Sequence, residues 1–170
     1  IKEHFNLDYT QDESYYILYT DGENSCVYLG VKTDVDKEEM AKALYSAQKG
    51  EKPFEAEKYV NKIPVKKHDH VLIPAGTVHC SGAGTMVLEI SATPYIFTFK
   101  MWDWVRVDLD GKPRPIHLEH GLANIQWDRD TEFVKRELID AVTPIPCDDG
   151  KMERTGLHKL EFIETVRVTT

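Results

Sequence analysis

A chain of 170 residues with 41% hydrophobic and 29% charged side chains holds enough apolar material for one buried core beneath a water-exposed surface. Its formal net charge of −8 argues against a nucleic-acid-binding face, while leaving room for a few basic residues placed locally around an anionic small molecule. Cys26, Cys80 and Cys147 are odd in number and form no Cys-x-x-Cys pair, and no apolar run nears the roughly 20 residues of a membrane span, so disulfide frameworks, cysteine metal sites and membrane insertion are set aside and a cytoplasmic protein is expected.

In chain order, Ile1 to Tyr9 reads as a short helical or irregular lead, and a start without Met points to a fragment or excised domain. Ser14 to Thr20 is rich in aromatic and branched residues and ends at Asp21-Gly22, a strand-and-hairpin signal, with Cys26 to Val31 as the return strand. Asp34 or Asp36 then caps a helix running to Gln48, because Met40, Ala43, Leu44 and Ala47 follow helical spacing and Gly50 closes it. A second short helix is predicted over about Phe54 to Asn61, so that a helical insert at about 34–61 interrupts an otherwise β-rich pattern. His70 to Ile73, Val78 to Ser81, Thr85 to Ser91 and Tyr95 to Arg106 read as successive strands. Helical stretches follow around Leu118 to Ile125 and, as helix or strand, Thr131 to Ile139, and Thr143 to Pro146 is expected to be a loop. The segment 157–170 alternates Leu160, Phe162, Val166 and Val168 like a strand beginning a further sheet, which divides the chain into a main domain over 1–156 and this terminal strand.

The stretch from Lys66 to His79 organises the rest. A β-branched run ends in Pro74-Ala75-Gly76, where Pro74 presets the first corner of a turn and Gly76 supplies a positive φ, so that His79 opens the next strand and can face a barrel mouth. Ile-Pro-Ala-Gly-Thr-Val-His, followed by Val87-Leu88-Glu89-Ile90-Ser91, resembles the second conserved box of the cupin superfamily and, more specifically, the class I mannose-6-phosphate isomerases. The resemblance implies a mainly β fold, a cupin jelly-roll barrel with short helical insertions. It also implies that His79 binds a metal, usually zinc, and that Glu13, heading the aromatic strand, is a second metal ligand. The implied activity is metal-dependent interconversion of an aldose phosphate and a ketose phosphate, of the mannose 6-phosphate to fructose 6-phosphate type. Lys100 and Arg106 would offset the phosphate charge, and the partner is a small-molecule sugar phosphate rather than a nucleic acid or a membrane. Oligomeric state is left open.

Three departures from the family pattern bear on that activity. The family supplies a Gln-x-His pair upstream of the glutamate, and none precedes Glu13, so the chain holds two matched ligands where a stable zinc site wants three or four, and weak or absent metal and little activity from this chain alone are expected. Gln11 stands where the family commonly has lysine. Lys100 stands where it has arginine before the aromatic-Asp-aromatic run, and lysine is the poorer bidentate clamp for phosphate. These departures keep a second reading open, a non-catalytic or regulatory carbohydrate-binding cupin.

The remaining constellations read mostly as structural. Strand alternation puts Trp102 and Trp104 on one face with Lys100 and Arg106, as a packing pair or as a sugar-stacking wall, packing being favoured. His68, Asp69 and His70 are sequence neighbours whose side chains diverge along a strand, with Asp69 fitting a turn. His117 is an open candidate for moving a proton, and Cys80, next to His79, is expected to point away from it and be buried.

Overall fold

The computed structural model describes residues 6, 11–92, 98–112, 114–155 and 164–169. Its strands are β1 (Glu13–Thr20), β2 (Cys26–Val31), β3 (Val60–Pro64), β4 (His70–Ile73), β5 (His79–Ser81), β6 (Thr85–Ser91), β7 (Thr143–Ile145), β8 (Lys151–Arg154) and β9 (Val166–Thr169). Its helices are α1 (Lys37–Gln48), α2 (Ala56–Tyr59), α3 (Leu118–Asn124) and α4 (Thr131–Phe133), the last running on into a π-helical turn over Val134–Leu138. The chain is mainly β, as the residue pattern predicts.

Among the described residues the strands form three antiparallel sheets with orders β4-β1-β6, β3-β2-β5 and β7-β8-β9. The first two face each other. Alternate residues of β1 and β2 turn Tyr15, Ile17, Val27 and Leu29 inward against Val71, Leu72 and Ile73 of β4, and Val134 and Leu138 of the π-helical turn join the same cluster; all are buried. The opposite face of the β3-β2-β5 sheet carries a second core, in which Cys26, Tyr28 and Val31 pack against Met40 and Leu44 of α1 and against Phe54 and Tyr59. One sheet thus separates two apolar interiors.

Local chemistry accounts for the elements. Asp36 caps α1 by accepting the amides of Glu38 and Glu39 at 2.9 and 3.0 Å, which selects Asp36 over Asp34. The β2–β3 register breaks between Tyr28 and Val31, where Gly30 has a φ of 63° and a Cβ would meet the carbonyl oxygen of Arg129 at 2.4 Å. Asn61 fastens this bulge: its amide donates to the carbonyls of Leu29 and Val31, and its Oδ1 accepts from Thr131 at 2.7 Å.

Several predicted elements are corrected. The helix expected over Phe54 to Asn61 is confined to Ala56–Tyr59, because Val60 to Pro64 pairs with β2 as a strand and ladder bonds outweigh the local helical pattern. Of the strand expected over Tyr95 to Arg106, residues 93–97 lie outside the described residues, and 98–106 is irregular: the Lys100 carbonyl accepts the His117 amide, and Trp104 and Val105 have φ of 54° and 59°, which no strand contains. The expected loop at Thr143 to Pro146 contains β7, and the terminal strand has its partner in β8, with Val168 opposite Met152. Of that segment, 157–163 and Thr170 lie outside the described residues, as does the predicted lead over 1–9 apart from Asn6.

Candidate active site

The turn after β4 is where the organising stretch does its work. Pro74 accepts the Thr77 amide at 3.0 Å and Gly76 has a φ of 84°, so Pro74 is the first of the four turn residues rather than the corner itself, and Ala75-Gly76 forms the bend. The Thr77 hydroxyl donates to the same Pro74 carbonyl at 2.6 Å. A Cβ on Gly76 would lie 2.7 Å from Cγ of Gln126 and 2.8 Å from the Asn124 carbonyl oxygen, so the loop after α3 seats against a position only glycine fits. Asp12, almost fully buried, accepts the Ala75 amide at 2.7 Å and ties the turn to the residue that precedes Glu13.

That tie brings the two predicted metal ligands together. Glu13 pairs with Ile73 in the β1–β4 ladder, His79 pairs with Leu29 in the β2–β5 ladder, and His79 Nε2 lies 3.0 Å from Glu13 Oε2. The imidazole Nδ1 lies 2.8 Å from the Thr77 carbonyl, which can only accept, so Nδ1 carries a proton and Nε2 faces the carboxylate. When the imidazole carries its second proton, Nε2 donates to the Glu13 carboxylate. Burial opposes the imidazolium, but the hydrogen bond and charge of Glu13, with the Thr77 carbonyl, outweigh it and hold the His79 pKa above its ordinary value. Gln11, buried where the family pattern has lysine, donates its amide to the other oxygen, Oε1 of Glu13.

The same arrangement suits a metal. Nδ1–H bound to a backbone carbonyl leaves Nε2 as the ligating nitrogen, and two donors on one tetrahedral zinc stand roughly 3.4 Å apart, close to the Glu13–His79 separation. Among the described residues no set of three His, Cys, Asp or Glu side chains gathers around one point, so these two donors alone would supply only part of a coordination shell.

The pair opens into a cavity of about 950 Å³. Tyr15 stands edge-on to the His79 ring with centroids 5.9 Å apart, and burial together with the Glu13 and Glu89 carboxylates raises its phenol well above the ordinary value. Glu89 lies opposite Tyr15 in the β1–β6 ladder, so Glu13, Tyr15 and Glu89 share one face. Although Glu89 as a residue is exposed, partial burial of its carboxyl and the charge of Glu13 hold its pKa up, with His79 opposing. In the sequence Glu89 is one residue of the Val87–Ser91 run with no role of its own. The signal that finds it is side-chain parity, which needs the strand register.

Lys100 and Arg106 both line the cavity. Lys100 is drawn to Asp103, with Nζ 3.7 Å from Oδ2, and Arg114 Nε approaches the same oxygen at 3.1 Å without hydrogen-bond alignment. Trp102 packs edge-on against Phe54 at 5.5 Å, and Trp104 leans on Trp102 at 4.4 Å. The shared face predicted for Lys100, Trp102, Trp104 and Arg106 therefore does not arise from strand alternation. His117 is not among the cavity residues; its Nδ1 accepts the Lys100 amide at 3.3 Å, a structural role. The triplet diverges as expected: His68 bonds the Tyr16 hydroxyl, Asp69 accepts the Lys66 amide and closes a turn, and His70 is buried. Cys80 opposes Tyr28 on the face away from His79, half-buried, and all three cysteines are free.

The fold has a solved counterpart. The crystal structure of the mannose 6-phosphate isomerase from Bacillus subtilis superposes with a TM-score of 0.68 at 20% identity, over 88% of this chain and 43% of that one. In sequence, the mannose-6-phosphate isomerase of Streptococcus mutans is 36% identical over 63 residues, or 37% of this chain and 20% of that protein. Mannose-6-phosphate isomerase ManA of Bacillus subtilis is 28% identical over 123 residues, which are 72% of this chain and 36% of that protein. The chain is a relative of the mannose-6-phosphate isomerases. It has their cupin fold and spans about a fifth to a third of the length of these curated isomerases. No family model matches it. Among the described residues no helix is long and apolar enough to cross a membrane.

Proposed function

We propose that this chain is the metal-bearing barrel of an aldose–ketose isomerase acting on a hexose phosphate, of the mannose 6-phosphate to fructose 6-phosphate type. The observation that carries this reading is the 3.0 Å approach of His79 Nε2 to Glu13 Oε2 beneath a cavity large enough for a hexose phosphate, with the imidazole already locked by the Thr77 carbonyl. Kinship with named mannose-6-phosphate isomerases supports the sugar-phosphate class. Glu13 and His79 would hold a zinc ion, which when bound polarises the sugar carbonyl and the adjacent hydroxyl.

The chain's own groups supply the rest. Glu89, whose carboxyl is shifted toward neutrality by partial burial and by Glu13, is the general base that carries the proton between the first and second carbons. Tyr15, kept protonated by burial, walls the same face and orders the His79 ring by its edge. Gln11 fixes the rotamer of Glu13. Arg106 and Lys100 offset the phosphate charge, Arg106 the more freely because Asp103 engages Lys100.

The test is conversion of mannose 6-phosphate to fructose 6-phosphate, followed by NMR with zinc in excess. Turnover that disappears in His79→Ala supports the reading, and turnover no greater than that of His79→Ala overturns it. The Lys100–Asp103 pairing and the two-donor shell favour the second reading, a carbohydrate-binding cupin without turnover. Sugar-phosphate binding with no isomerisation at saturating zinc is its signature.

A further inference from the structure

Two neighbouring strands of the β4-β1-β6 sheet reverse the usual polarity of a sheet that faces water. β1 and β6 contain two charged residues, Glu13 and Glu89, and strand parity turns both inward with Tyr15 and Val87. The outward positions hold Ser14, Tyr16 and Leu18 on β1 and Met86, Leu88 and Ile90 on β6, none of them charged. Of these, Met86 is 57% exposed and Leu88 48%.

A bulge enlarges this apolar face. Ile17 opposes Val87, but the next pair is Tyr19 with Met86, so Leu18 is an extra residue in β1. Unbroken alternation would send Tyr19 inward. Opposite Met86 it turns outward instead, and Leu18 and Tyr19 stay 40% and 55% exposed. At roughly half of the about 200 Å² that a large side chain presents, Leu18, Tyr19, Met86 and Leu88 together expose about 400 Å², flanked by the half-buried Tyr16 and Ile90.

We propose that this face is a docking surface for a second copy of the chain, the two β1–β6 faces stacking across a two-fold axis with Leu18, Tyr19, Met86 and Leu88 at the contact. The area favours that occupant. Two such patches bury about 800 Å², and the flanking Tyr16 and Ile90 bring the contact to about 1,000 Å², at the lower edge of specific interfaces, which gives a weak, concentration-dependent dimer. Charge favours it as well: each copy carries a net −8, so two copies repel wherever their acidic surfaces meet, and this face is uncharged. An anionic lipid surface would call for lysine or arginine here, and neither strand has one. The dimer covers the back of the strands whose inner side presents Glu13, Tyr15 and Glu89 to the cavity.

The test is sedimentation velocity of the 170-residue chain over about 1 to 200 µM, a range that brackets a weak dimer. The expected result is a monomer–dimer equilibrium with a dissociation constant of about 10 to 100 µM, weakened about tenfold or more by Leu88→Glu and by Met86→Lys. Both side chains are already half in water, so each variant keeps the parent's thermal unfolding midpoint at low concentration, which separates lost docking from lost folding. Val168→Glu, at a comparably exposed apolar position on β9, leaves the association unchanged. So does His79→Ala, because neither the candidate metal ligands nor turnover takes part. A monomer throughout, growth beyond a dimer, insensitivity to both patch variants, or equal weakening by Val168→Glu or His79→Ala each overturns the proposal.

Discussion

Glu13 and His79 are 66 positions apart in sequence and 3.0 Å apart at Oε2 and Nε2. Two ladders and one hydrogen bond, from the Ala75 amide to Asp12, hold them there. Asp12→Ala removes the acceptor and leaves that amide unsatisfied, so we expect a loss of about 1–3 kcal/mol in urea unfolding. Because the turn then shifts under His79, zinc affinity should also fall about 10- to 100-fold by competition with a chromophoric chelator. Unchanged zinc affinity would show that the turn does not position the Glu13–His79 pair.

Gly76 bears the closest packing of that turn. An alanine there meets the Asn124 carbonyl oxygen as well as the Gln126 side chain and must hold a left-handed backbone, so Gly76→Ala should destabilise the fold by about 1–3 kcal/mol. Since one of the two obstacles is backbone, adding Gln126→Ala should recover only part of the loss; full recovery in thermal unfolding would show that backbone crowding is negligible.

Val105 offers the opposite sign. It is exposed and left-handed, so Val105→Gly gives up little contact and relieves strain, and a gain of about 1 kcal/mol in chemical denaturation is expected. A variant less stable than the parent would show that the valine side chain supports the turn.

His70 makes stability pH-dependent. Burial lowers its pKa from 6.5 to about 4, with Asp140 opposing and Arg167 adding to the shift. The unfolded chain therefore takes up a proton between these values while the folded one stays neutral, so the contribution is complete above about pH 6.5 and fades as the pH falls toward 4, by up to about 3 kcal/mol. Unfolding free energies of the parent and His70→Leu, compared from pH 7 to pH 4, should converge over that window. Parallel curves would place the titration elsewhere.

Glu89→Gln keeps the shape of the cavity wall and removes the base. If Glu89 moves the proton, kcat for the isomerisation should drop about 10²- to 10⁴-fold with KM little changed, as read by coupled assay at saturating zinc. A rise in KM with kcat unchanged would assign Glu89 to binding.

The strands β1, β2, β4, β5 and β6, helix α1 and the glycine turn were legible in the sequence because alternation, capping and positive-φ chemistry act within a few neighbouring residues. Ile-Pro-Ala-Gly-Thr-Val-His marked His79, and the aromatic strand marked Glu13. Which residues join them was decided only by pairing between distant segments: Glu89 enters the site through its register with Tyr15, and Asp12 through its hold on Ala75. Tertiary contacts likewise overrode local pattern where Val60 to Pro64 found β2, and where Trp102 and Trp104 met Phe54 and Tyr28 on an irregular segment. The physical reason is one of range. Backbone preferences are set by adjacent atoms, whereas the face a side chain presents, and the charge it meets there, depend on partners many residues away.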